Sequence, residues 1–250
     1  MFAIYRKELK SYFITAVGYV YVGIFLALSA LIFCYTTLIS NSYDTANYFS
    51  MLIMAFVVLI PLLTMKLFSE EKKLRTEQML LTAPVTITGM VLGKYLAALT
   101  MFIGSLIASC INFIPLYAVA FQERAEAGST ASIKHIGPSG AQIIGALIGI
   151  ALIGAAFIAV GMLISTLTEN QLASAVISVA VLLVMLLLSM VNSFIPNYAV
   201  RFIIDWVCVL SRFASFGYGI FDFSALLYYL SLTSVFIFLT IRVYEKRRWG

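Results

Sequence analysis

From Phe13 to Leu38 the chain runs 26 residues without a charged side chain. A helix needs about 20 apolar residues to cross the hydrocarbon of a bilayer, and this run exceeds that. Five further apolar runs follow, at about 48–65, 95–120, 141–167, 172–191 and 224–243. In lipid every backbone N–H and C=O must be satisfied within the protein, and a helix does this within a single segment. The expected fold is therefore an all-α integral membrane protein with six transmembrane helices. The chain is 62% hydrophobic and 11% charged, whereas soluble domains carry roughly 25% charged residues. No Ser/Pro/Gly-rich linker divides the 250 residues, so the chain reads as one domain spanning 1–250.

The sixteen Lys and Arg residues are distributed unevenly between the two sides. One side holds three at the N-terminus, five between Lys66 and Lys94 and four from Arg242 onward; the other holds Arg124, Lys134, Arg201 and Arg212. The richer side is expected to face the cytoplasm, with both termini and the short turn Thr168–Gln171. In a soluble protein the net charge of +5 would point to nucleic acid. Here the basic residues flank apolar runs, topology accounts for them, and no nucleic-acid partner is expected. Cys34, Cys110 and Cys208 are scattered and odd in number, which is no disulfide framework, and no Cys or His pair has metal-ligand spacing.

Residues 1–13 place Phe2, Tyr5, Leu9 and Tyr12 on one helical face and Arg6, Lys7 and Lys10 on the other. That pattern fits a helix lying in the headgroup layer with its cations toward anionic lipid, or alternatively the basic flank of a signal anchor. The apolar run behind it is too long for a cleaved signal peptide, so it is expected to remain. Before the last span, the segment 194–223 carries Arg201, Asp205, Cys208 and Arg212 at helical spacing opposite Phe202, Trp206, Leu210 and Phe213. It reads either as an amphipathic helix at the outer surface, dipping in, or as a lid packed on the bundle.

The longest polar interruption is a handle, 66–94, expected in the cytoplasm. Glu71 and Arg75, and Lys73 and Glu77, lie four apart, where opposite charges pair on a helix surface. Leu67, Leu74 and Leu81 recur at seven and make an apolar stripe. The spacing predicts a helix up to Ala83-Pro84, where proline ends it, and a new helix capped by Thr86 or Thr88. A protein partner is expected to grip this handle.

Two motifs here suggest enzymes and fail on chemistry. Glu70-Glu71-x-x-x-Arg75 matches the pattern of CAAX-type intramembrane proteases, but His135, the single histidine, is expected across the bilayer, and exposed glutamates gain no raised pKa. Gly89-x-x-x-Gly93-Lys94-Tyr95 approaches a phosphate-binding loop but is one residue short and lacks the Ser or Thr that would hold magnesium. No ATP site and no catalytic residue are expected in this chain. The span centres carry no Asp, Glu, Lys or Arg, which disfavours ion-coupled carriers and charged pores and leaves an apolar or amphipathic cargo open. Gly145, Gly149, Ala151, Ala155 and Ala159 make small-residue faces for close helix contact, within the subunit or at a dimer seam. Asn112 and Pro115 bend the third span or bond to a neighbour.

Phe68-x-Glu70-Glu71, Thr76-Glu77-x-x-Leu80-Leu81-Thr82-x-Pro84-Val85 and Leu92-Gly93-Lys94-x-x-Ala97 together resemble the segment between spans two and three of ABC-2 type transporter permeases. The similarity is greatest to the gliding-motility-type branch. Arg6-Lys7-Glu8-Leu9 resembles that branch's N-terminus, and Glu245-x-Arg247-Arg248-Trp249 its tail. Where many relatives have glycine before Thr76, this chain has Arg75. The resemblance implies an elbow helix at 1–13 with Arg6, Lys7, Glu8 and Lys10, and a coupling helix within Phe68–Thr82. It further implies two permease subunits, as a homo- or heterodimer in a bacterial-type plasma membrane, driven by separate ABC ATPase subunits that bind the ATP and magnesium. The expected ATPase contacts are Phe68, Glu70, Glu71, Lys72, Lys73, Leu74, Arg75, Glu77, Leu81, Thr82 and Pro84, with Glu169 in a second, smaller contact. Phe68, Leu74 and Leu81 would supply an apolar anchor and the charges would orient docking. The expected function is ATP-driven export, with membrane lipid around the bundle and room for an auxiliary membrane protein. The alternative is a scaffold without transport activity that recruits a cytosolic partner through the same handle.

Overall fold

The computed structural model describes residues 1–40, 43–73, 75, 86–126, 138–192 and 208–249. All regular structure among the described residues is helical, and six helical stretches are long and apolar enough to cross a membrane. The elements in chain order are α1 (Phe2–Ile14), α2 (Ala16–Phe33), α3 (Ala46–Thr64), α4 (Ser69–Lys73), α5 (Ile87–Ser109), α6 (Phe113–Glu126), α7 (Gly140–Leu167), α8 (Gln171–Val191), α9 (Ala214–Gly217) and α10 (Phe223–Trp249).

The amphipathic α1 turns sharply into the first span. Thr15 is extended, its hydroxyl donating to Ser11 O at 2.8 Å. Gly18 lies so close to the Tyr12 carbonyl that any side chain would overlap it, so only glycine lets α2 start at this corner. At its far end α2 widens into a π-helical turn, Cys34–Leu38. α5 breaks into a 3-10 turn at Cys110–Asn112 before continuing as α6, and Asn112 Nδ2 donates to Ser29 Oγ on α2 at 2.7 Å. The third span is thus interrupted by a 3-10 turn at Asn112 and bonded there to a neighbour.

α7 is the centre of the bundle, packing against α3, α5, α8, α9 and α10. Its small residues make this possible. Gly154 receives the Phe102 ring of α5, and Gly161 receives Thr64 of α3. Since lipid is as apolar as a leucine side chain, such close fit, more than burial, holds helices together in a bilayer. Phe102 also meets Phe56 edge-on at 5.1 Å, and Phe33, Tyr48, Phe49 and Phe113 form a second aromatic group at the opposite end of the bundle from the handle. Gly145 and Gly149 seat Phe216 and Phe213, so this small-residue face is filled from within the chain. Residues 208–223 accordingly pack on α7, with Gly219 taking the left-handed turn (φ +77°) that brings its backbone against Ala141 and Gln142. The earlier part of the 194–223 segment, with Arg201, Phe202, Asp205 and Trp206, lies outside the described residues.

One of the two helix boundaries expected around the handle is met and one is not. The helix expected behind Thr86 or Thr88 begins at Ile87, with Thr86 as its cap: Thr86 Oγ1 accepts Gly89 N at 3.3 Å. Lys94 therefore sits well inside a span helix and is not the end of a polar loop. The helix expected from Lys66 to Leu81 instead stops at Lys73: Arg75 N donates to Lys72 O at 3.0 Å, and Arg75 takes φ +56°, which no right-handed helix continues. The expected Glu71–Arg75 surface pair does not form, because Glu71 is held by Lys94. An exposed i,i+4 pair is worth about 0.2–0.5 kcal/mol, too little to compete with a buried ammonium.

Candidate functional site: a buried lysine beneath the handle

The turn after α3 and the short helix α4 form the base of the handle, and five helices converge on it. α3 ends in a tight turn in which Leu67 N donates to Thr64 O at 3.1 Å. The nearby Leu63 carbonyl accepts the Tyr12 hydroxyl of α1 at 3.1 Å. Burial, helped by the Glu8 carboxylate, pushes the Tyr12 phenol up, so it remains a proton donor. Ser165 Oγ of α7 accepts the N–H groups of Phe68 and Ser69 at 3.1 and 3.2 Å, satisfying the donors at the start of α4.

Lys94 of α5 lies under this turn and is only 1% exposed. Its ammonium donates to Leu67 O at 2.6 Å and to Glu71 Oε1 at 2.7 Å, with Glu8 Oε1 of α1 at 3.3 Å. The Phe68 ring sits 4.9 Å away, face toward the cation. Lys94 thereby brings positive charge to the carbonyl end of α3, where the helix dipole favours it. Lys7, 3.9 Å from Glu8, adds a second cation at the rim, so two carboxylates and two ammoniums share the site. Desolvating an ion costs several kcal/mol, and removing one partner of a buried pair costs about 3–5 kcal/mol. Lys94 is therefore committed to its carboxylates.

A second set of ties reaches the other side of the bundle. The Phe68 ring lies 4.9 Å from that of Tyr244 on α10. The Thr166 carbonyl at the end of α7 accepts both the Lys72 ammonium and Arg247 Nη2, the latter at 2.9 Å. The Gly89–Gly93 pair, with its superficial likeness to a phosphate loop, serves α1 instead: a side chain at Gly93 would meet Met1 O at 3.1 Å and Ile4 at 3.3 Å. Small residues there let the elbow lie directly on α5.

The residues expected to contact a partner divide by exposure. Lys73, Arg75 and Glu169 are exposed at the handle end, as are Arg6, Lys7 and Lys10 on α1. Glu70 is part-exposed beside Lys66, 4.0 Å away. Phe68 is fully buried, and Glu71, Lys72 and Glu8 are largely turned inward. Leu74, Glu77, Leu81, Thr82 and Pro84 lie outside the described residues. Ser165, Thr166 and Tyr244 have nothing in their local sequence to mark them for the site, and Arg247 stands out only as part of the basic tail. Lys94 did carry a signal, a lysine set in the apolar context Val91-Leu92-Gly93-Lys94-Tyr95-Leu96. Such a charge needs a buried partner, and Glu71 is that partner.

A family model described as an ABC-2 family transporter protein matches residues 3–130. The chain belongs to that family. The match includes Glu8, the handle and Lys94. No curated protein matches the chain. ABC-2 proteins of this kind are the membrane component of ABC transporters and generally work with ABC ATPases. The chain is a permease subunit of an ABC transporter and a multi-pass membrane protein. In this ABC-2 permease the handle base touches α1, α5, α7 and α10 through named side chains.

Proposed function

We propose that this ABC-2 permease, of the gliding-motility-type branch, exports an apolar or amphipathic cargo and is driven from the cytoplasm by separate ATPase subunits gripping the 66–94 handle. Two permease chains pair, as a homo- or heterodimer, over two ATPase subunits. ATP and magnesium bind in the ATPases, whose closure pushes both handles and shifts the bundle between inward-open and outward-open states. The observation that carries this reading is the buried Lys94, bonded to the handle at Leu67 and Glu71 and close to Glu8 of the elbow. A force on the exposed Lys73 and Arg75 thus has a stiff path into α1 and α5. The exposed charges orient docking, and Glu169 in the α7–α8 turn adds a smaller contact. The inward-turned Phe68, Glu71 and Lys72 transmit the push.

The test is affinity purification of the chain from native membranes, with co-purified proteins identified and ATP hydrolysis measured. Wild-type chain is expected to bring down an ATPase; Lys73→Glu with Arg75→Glu is expected to lose most of it while folding normally. Retention of the ATPase by the reversed variant would remove these residues from the contact, and absence of any ATPase from the wild-type preparation would remove the reading itself.

A further inference from the structure

The handle base has two sets of ties of unequal strength, and this inequality determines what moves with it. Toward α5 and α1 the ties are ionic and buried: Lys94 to Glu71 and Leu67 O, with Glu8 beside it. Toward α7 they are two N–H bonds to one serine hydroxyl and the bonds of Lys72 and Arg247 to the Thr166 carbonyl. The Ser165 bonds are buried but join neutral groups, and such bonds contribute less than those of an ion; a buried ammonium cannot give up its carboxylates.

We propose that Lys94 is a rivet joining the elbow helix α1, the handle base and the first turns of α5 into one moving body, which slips against the Ser165–Thr166 end of α7. This rests on the reading of the handle as the ATPase contact. Lys94 is a positioning residue, and Glu71 and Glu8 are its alternative partners: at 2.7 and 3.3 Å, both lie within reach of one ammonium. When the handle shifts, the ammonium can lean from one carboxylate to the other without ever being unpaired. Gly89 and Gly93 add a second seam to the same body, because the elbow backbone rests against them. Lys7, next to Glu8, is the other charge facing the cluster, and its exposed position lets it follow the elbow.

The experiment uses the permease with its ATPase subunits in lipid nanodiscs and pulsed electron-spin distance measurements. Labels are placed at Lys10→Cys on the elbow, Lys66→Cys on the handle base and Leu167→Cys at the end of α7, with Cys34, Cys110 and Cys208 replaced. Trapping with nucleotide is expected to leave the 10–66 separation unchanged and to shift 66–167. Lys94→Met is expected to free 10–66 and to uncouple hydrolysis from handle movement. Because that variant could lose its fold, Glu8→Gln and Glu71→Gln supply the second arm, each keeping the side-chain shape. Either one alone leaves Lys94 a carboxylate and is expected to act nearly like wild type. Together they are expected to broaden the 10–66 distances and to reduce ATP-driven movement by more than the product of the single losses. A 10–66 separation that changes in the wild-type complex, a constant 66–167 separation, or multiplicative single losses would each overturn the rivet while leaving the permease reading intact. If no ATPase binds the handle at all, both fall together.

Discussion

Lys94 and the glycines of α7 show how much a single side chain decides in a protein without hydrophobic drive between its helices. Gly154 is occupied on its open side by the Phe102 ring, whereas a side chain at Gly104 would meet nothing within 4 Å. Gly154→Ala is therefore expected to lower thermal stability in detergent by about 1–3 kcal/mol through overpacking. Gly104→Ala is expected to be neutral or to stabilise by up to about 1 kcal/mol through helix propensity. Parallel melts of the two variants check this, and equal effects would mean that helix propensity, not close approach, sets these positions. Both glycines look alike in sequence, because what distinguishes them is a ring from another helix.

Among the elements, α4 departs most from its expected form. Two opposite-charge pairs at helical spacing, Glu71 with Arg75 and Lys73 with Glu77, predict a long surface helix up to Ala83-Pro84, and local pairing would have supported one. The structure takes Glu71 and Lys72 inward, to Lys94 and Thr166, and turns the chain at Arg75. A helix this short has little stability of its own, so its order comes from its neighbours. Ser165→Ala removes the acceptor of both Phe68 N and Ser69 N, which is expected to cost about 1–3 kcal/mol locally. Hydrogen exchange should then quicken across 67–73 and stay unchanged in the middle of α5. The elbow was the more legible element: its apolar face and its cations are local features, and α1, Phe2–Ile14, has close to the extent 1–13 that the pattern predicts.

At the scale of the molecule, the uneven distribution of Lys and Arg predicts that the handle end faces the cytoplasm. Impermeant thiol labelling is expected to reach Lys73→Cys and Glu169→Cys only from the inside and Asp44→Cys and Ser139→Cys only from the outside, in a cysteine-free background. Reversed labelling would place the handle outside, away from any cytoplasmic ATPase. Six spans were legible because charge-free length is a one-dimensional property, and so was the Thr86 cap that starts the helix at Ile87. The cover over Lys94 by Glu8, Phe68 and Glu71 was not legible, because it comes from other helices.

By itself the amino-acid order determined the membrane class, the six spans, the elbow and the polar handle, since each follows from hydropathy and spacing along a continuous stretch. Only the tertiary structure decided which charges of the handle face outward and which lock inward. That choice depends on pairings between residues 23 to 94 positions apart, Glu71 with Lys94 and Lys72 with Thr166. Desolvation makes such pairings strong only after the helices have come together, so no local pattern announces them.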